Sequence, residues 1–233
     1  MADKRLIPLN FSRLFLAWIA IFLTAPAAAR TAEDEQLWVN LTVIGNVGKF
    51  AYFAEVQPRI GDGVSRAQQI LVRPAIGYRF SNRITAYGGY AHVFLPIENG
   101  PDRNEERFFG QFNWAFPKVA GGSGLLRTRI EHRRLSHGDD TGWRLRQMIR
   151  YTKPLGDPKH VRALVQVEGF LALNDTDWGA RGGFDQLRSL VGVEVPLFGR
   201  STMDFGYQNQ LINDPGGRKR MNHMAAFTFW IRP

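Results

Sequence analysis

The chain has 233 residues, no cysteine and a formal net charge of +9. Without cysteine there is no disulfide framework, so an exported chain of this size must be held by burial or by a lipid environment. Its basic residues are dispersed as single arginines along alternating segments rather than gathered in a patch, which argues against a nucleic-acid partner.

The first element in chain order is a leader. Lys4, Arg5 and Arg13 precede an apolar run over residues 14–23, and Ala25-Pro26-Ala27-Ala28-Ala29 follows. A basic start, a short apolar run and small residues make a secretory signal peptide, too short to span a membrane as a helix. Residues 1–29 are therefore expected to be cleaved and residues 30–233 to form one β-barrel domain. No later stretch has 18 consecutive apolar residues, so no transmembrane helix is expected.

From residue 36 onward, strand-like segments recur. They cover 36–44, 49–60, 69–80, 83–94, 105–116, 125–135, 143–151, 161–173, 185–198, 201–212 and 221–231. Near-regular strands separated by turn residues mean an all-β sandwich or barrel. Short connections at 45–48, 81–82, 156–159 and 199–200 alternate with long polar ones at 61–67, 95–104, 136–141, 174–184 and 213–220. That is the habit of outer-membrane barrels, whose short turns are periplasmic. The stretch 117–124 should be short in this scheme and is not. Eleven segments also conflict with the even strand number of single-chain bacterial barrels. The expectation is therefore an antiparallel up-and-down transmembrane barrel of about 12 strands, within 10–12, in the bacterial outer membrane.

Alternation assigns the faces, since successive side chains in a strand point opposite ways. One face is apolar: Phe108, Phe112, Trp114 and Phe116; Val161, Ala163, Val165, Val167 and Leu171; Leu187, Val191, Val193 and Val195; Met203, Phe205 and Tyr207; Ala225, Phe227, Phe229 and Ile231. Tyr52, Tyr78, Trp143, Tyr151 and Trp230 fall toward strand ends, where aromatic girdles belong. A membrane barrel turns such faces to lipid; a periplasmic sandwich would pack them together.

The other face is polar, with twelve arginines against six carboxylates. Its expected lumen-facing set is Glu55, Arg59, Arg73, Arg107, Arg127, Arg129, Glu131, Arg133, Arg144, Arg146, Arg150, Arg162, Glu168 and Arg188. Arginine's planar fork pairs two ways with a carboxylate, which suits an enclosed polar interior. The favoured reading is a structural envelope protein filled by ion pairs. The alternative is a narrow channel favouring anions. Outer-membrane lipid is then the expected partner, with small anionic solutes added if the path is open.

Several motifs share these strands: Glu105-Glu106-Arg107-Phe108-Phe109-Gly110-Gln111, Arg127-x-Arg129-x-Glu131-x-Arg133, Arg144-x-Arg146-x-x-x-Arg150-Tyr151, Phe184-Asp185-Gln186-Leu187-Arg188 and Gly206-Tyr207-Gln208. With Leu37-Trp38 behind the leader, their order resembles an uncharacterised bacterial family, the domain of unknown function numbered 2490. Leu187 departs from the asparagine frequent there. The resemblance implies an outer-membrane-like barrel and transfers no catalytic residue.

A lipid hydrolase needs a serine near an oriented histidine. Ser136-His137 with Asp139, Asp140 and His132 is the candidate, but it falls in a loop and no His-x-Ser occurs. No enzyme activity is expected. Histidines 92, 132, 137, 160 and 223 are scattered, and no cofactor or metal is expected; Asp175, Asp177 and Asp185 are the weak alternative for calcium.

Overall fold

β-Branched and aromatic residues at every second position make extended strands, and eleven of them close on themselves. The computed structural model describes residues 32–157, 160–214 and 216–233; the expected leader lies outside these. The strands are β1 (Ala32–Val47), β2 (Phe50–Gly61), β3 (Arg66–Arg79), β4 (Ile84–Leu95), β5 (Arg103–Val119), β6 (Gly122–Leu135), β7 (Thr141–Pro154), β8 (Arg162–Ala172), β9 (Gly183–Pro196), β10 (Thr202–Asn213) and β11 (Lys219–Ile231). Each pairs antiparallel with its successor, and β1 pairs with β11 to complete a closed barrel. A single closed barrel excludes the two-sheet sandwich. Among the described residues no helix is long and apolar enough to cross a membrane.

The strand number is eleven, not about twelve. Among the described residues none of the eleven segments is split or merged. The parity conflict is resolved at the seam, where β1 and β11 run parallel from Ala32↔Arg220 to Val43↔Ile231. An odd number of up-and-down strands leaves the first and last pointing the same way, so closure requires a parallel ladder. Closure matters because an open edge exposes unpaired N–H and C=O groups.

The long stretch at 117–124 also becomes regular. β5 continues through Lys118 to Val119, with a register irregularity between Phe116 and Val119. The turn is only Ala120-Gly121, with φ of 48° and 78°. Two successive positive φ values fit the tight hairpin whose twist matches the flanking strands. At this end, the turn end, three of the five connections have four residues or fewer (48–49, 80–83 and 120–121), although 155–161 is longer; the other, the loop end, has the longest, 173–182.

Prolines sit where the ladder opens. Pro74 lies in a gap of the β3–β4 register, between Val72↔His92 and Ala75↔Gly89. Pro58 lies opposite a gap in β1–β2, between Trp38↔Arg59 and Leu41↔Val56. A residue without an N–H breaks pairing least there. Opposed Gly192 and Gly206 let β9 and β10 approach closely: an added Cβ on Gly192 would come within 2.6 Å of the Gly206 Cα.

Candidate functional site

The interior is where charge collects. Glu131 on β6 and Arg129, two residues along, are each only 1% exposed. The Glu131 carboxylate accepts from Arg144 Nε and Nη2 at 3.0 and 2.7 Å and from Arg146 Nη1 at 2.7 Å. Glu168 on β8 takes Arg146 Nε at 2.9 Å and Arg127 Nη2 at 2.8 Å. Arg146 thus bridges two carboxylates. Glu105 takes Arg107 twice at 2.7 Å, and Arg133 as well. Arg73 donates to Glu55 at 2.9 and 3.1 Å. Nearer the turn end, Arg150 reaches across to Asp204 on β10 at 2.7 Å and Glu194 on β9 at 2.6 Å, while Arg162 lies 3.4 Å from Glu194. Charge-assisted forks of this kind are short, strong and directional.

All fourteen residues read from the strand phase are buried or half-buried, and most are brought into this network. Two are not. Arg59 donates only to amides, Gln57 at 2.7 and 3.1 Å and Gln69 at 2.8 Å. Arg188 donates to Gln186 at 3.2 Å. Neither has a carboxylate within 4 Å among the described residues. Both lie against Trp38, their Cζ atoms 3.9 and 4.9 Å from its ring centre. Arg188 also packs on Phe170 at 4.5 Å, beside Arg146 at 4.6 Å on the same ring. A cation over a π face is favoured by the ring quadrupole, which partly replaces a counter-ion.

Two cavities meet at this stack. A vestibule of about 710 Å³ opens toward the loop end, and a smaller space of about 240 Å³ lies toward the turn end. Trp38, Arg59, Arg146 and Arg188 line both, and so form a septum between them.

Alternation also carried signals that a charge-focused reading passes over. Phe53, Tyr87 and Phe109, with Ala51 and Ala75, form an apolar cluster inside the barrel, and Arg129 Cζ lies 4.6 Å from the Phe109 ring centre. Phe53 is in phase with Glu55, and Phe109 with Arg107. Trp230 is a correction. It does not join an outer girdle; its Nε1 donates to Asp204 at 2.8 Å inside, because it shares the phase of Met224 and Ala226. Trp143 and Tyr78 do lie exposed, 44% and 42%.

The loop residues serve local structure. Ser136 Oγ accepts from the Asn104 amide at 3.0 Å, and His137 Nε2 lies 3.4 Å from Arg103. His132 packs edge-on against Trp143 instead of meeting Ser136. The three aspartates considered for calcium separate: Asp175 accepts from Gly182, Asp185 pairs with Arg144, and Asp177 accepts from the Asp139 and Asp140 amides at 2.8 and 3.2 Å. Those backbone donors, Asp139 first, hold the Asp177 carboxyl below its ordinary range. Asp177 N in turn donates to Asp140 at 2.7 Å, clasping two loops together.

Comparison with known proteins gives a family and a relative. The family described as "Protein of unknown function (DUF2490)" matches residues 35–222. An uncharacterized protein of Methylorubrum extorquens is 41% identical over 228 residues, covering 96% of this chain and 99% of the relative. No solved structure matches.

Proposed function

The chain belongs to this family of proteins of unknown function, DUF2490, and from that membership and the barrel's geometry we propose that it is an outer-membrane β-barrel with an envelope role, its interior closed by arginine–carboxylate pairs. One observation carries the reading: the barrel is inverted relative to a soluble protein. Its charges are buried inside, and large apolar side chains are exposed outside on nine of the eleven strands, among them Phe108 at 58%, Val191 at 58% and Ile76 at 69%. Water penalises an apolar surface of that extent, and lipid buries it. Strands of 11 to 17 residues meet the length a tilted membrane strand needs. In this orientation the short turns face the periplasm and the vestibule opens outward.

Fractionation tests the reading. The protein should resist urea extraction from membranes and migrate faster on a gel before heating than after. A urea-extractable protein with no mobility shift would overturn it. No catalytic residue belongs to the proposal: Ser136→Ala and His137→Ala should leave any lipid hydrolysis by the pure protein unchanged.

An anion-favouring channel is the second reading. It has one observation behind it, the two cavities that approach the septum from opposite ends. Planar-bilayer conductance separates the two readings, and the filled barrel should be silent.

A further inference from the structure

We propose that the vestibule face of the septum is a binding site for a small oxyanion carried on a hydroxylated body, with Arg59 and Arg188 as the paired ligating groups. The argument starts from charge. Around the vestibule floor, Arg107 and Arg133 share Glu105, while Arg144 and Arg146 share Glu131. Arg59 and Arg188 are left with amide oxygens alone. A guanidinium stays protonated at any physiological pH, so neither can shed its charge to escape burial. Two cations held in a confined space without a counter-charge are costly, and an anion between them removes that cost.

The spacing suits such an anion. Both guanidinium carbons lie close to one ring centre, at 3.9 and 4.9 Å, and hence are at most roughly 9 Å from each other. An anion reaching both forks from the vestibule side, with donors at roughly 2.8 Å, would fit a gap up to that size. Arg59 is anchored by Gln69 and Gln57, so its position is set before any ligand arrives. Gln36, Gln68 and Gln210 add further amides to the same cavity wall. Amides donate and accept at once, which matches hydroxyl groups and adds nothing for an apolar body. A volume of about 710 Å³ admits a ligand the size of a sugar acid or sugar phosphate. Arg66 and Arg220, 37% and 46% exposed at the rim, are each paired with a carboxylate, Asp62 and Asp214, so the uncompensated charge lies deeper, at the septum.

Isothermal titration of the folded barrel in neutral detergent tests the site with inorganic phosphate, gluconate and glucose. Phosphate and gluconate should bind and glucose should not. Binding of phosphate alone would assign the site to phosphoryl groups, and binding of gluconate alone to carboxylates. Arg59→Gln and Arg188→Gln should each weaken binding roughly tenfold or more, and Arg220→Gln at the rim far less. Phosphate should also raise the unfolding temperature of the unmodified protein, an arm that does not depend on the variants folding. Both septal variants should keep the heat-dependent gel mobility. Absence of anion binding to the unmodified protein would overturn the proposal. So would equal losses in Arg59→Gln and Arg220→Gln, which would mean a diffuse potential rather than a site. The site needs only the folded barrel, so the titration reads the same whether or not the barrel lies in a membrane.

Discussion

Glu131→Gln is the most informative single change to the barrel wall. The glutamine keeps the shape of the side chain and one acceptor oxygen but removes the charge and turns the other acceptor into a donor. Its neighbours are all cations: Arg144 at 2.7 and 3.0 Å, Arg146 at 2.7 Å and Arg129 at 3.6 Å. An amide NH₂ placed at the Arg144 side forfeits two charged hydrogen bonds, each worth about 1.5–3 kcal/mol. Arg144 keeps Asp185 at 3.3 Å and Arg146 keeps Glu168 at 2.8 Å, which offsets part of the loss. The expected destabilisation is about 3–4 kcal/mol, within the range for removing one partner of a buried pair. Equilibrium unfolding by denaturant in micelles, followed by tryptophan fluorescence, measures it. Glu98→Gln is the control, because Glu98 is 65% exposed and 3.7 Å from Arg66; it should change stability by no more than about 0.5 kcal/mol. If the two variants were equally stable, the interior carboxylates would be passengers and the ion-pair account of the barrel would fail.

Three further outcomes are expected. Val191→Arg puts a charge on the exposed middle of β9; a membrane barrel should lose about 2–4 kcal/mol and insert poorly, whereas a barrel in water would tolerate it within about 0.5 kcal/mol, so an unchanged unfolding midpoint and yield would count against lipid on this face. The loop clasp at Asp177 should be pH-dependent: its folded carboxyl titrates below the ordinary value of 3.8, so its contribution is complete above that value and fades as pH falls through the lowered one. Amide exchange at Asp139 and Asp140 should show that loss in the unmodified protein, while Asp177→Asn should lack protection at every pH. Finally, the unmodified barrel should be silent in a planar bilayer, and Trp38→Ala with Arg188→Ala should open the septum to a conductance preferring chloride to potassium; current of equal size before and after the change would refute the septum.

Much of this architecture is legible in alternation alone. Eleven segments read from period-two patterning became eleven strands, and the arginines of 127–133 and 144–150 fell on one face with Glu131, because the pleat fixes the side of every residue once one is known. Chain closure was not legible. Nothing local in β1 or β11 encodes that they meet in parallel, and a rule of even strand number displaced a correct count. The tight turn at Ala120-Gly121 was hidden by Pro117, which marks an irregularity within β5 and not its end. The phase that placed Glu55 inside placed Phe53 there too, and the apolar patch around Phe109 was missed because only polar residues of that phase were read as interior. The pairing of the arginines was also out of reach. A surplus of cations is visible in the sequence, but which of them lacks a counter-charge depends on neighbours several strands away, as Arg150 and Asp204 show.

The parallel seam has a consequence for how the molecule assembles. Ten of the eleven ladders join strands adjacent in sequence, and each can form as a hairpin as soon as its two halves exist. The eleventh joins Ala32 to Arg220, roughly 190 positions apart. Closing so long a segment costs about 2 kcal/mol more in chain entropy than closing a hairpin of some 20 residues, and such distant contacts form late. The sheet must therefore exist first as an open, curling ribbon with β1 and β11 as free edges, and only the arrival of β11 seals it. Slow folding, strand exchange between two copies and early breathing of backbone amides should all concentrate along that one line.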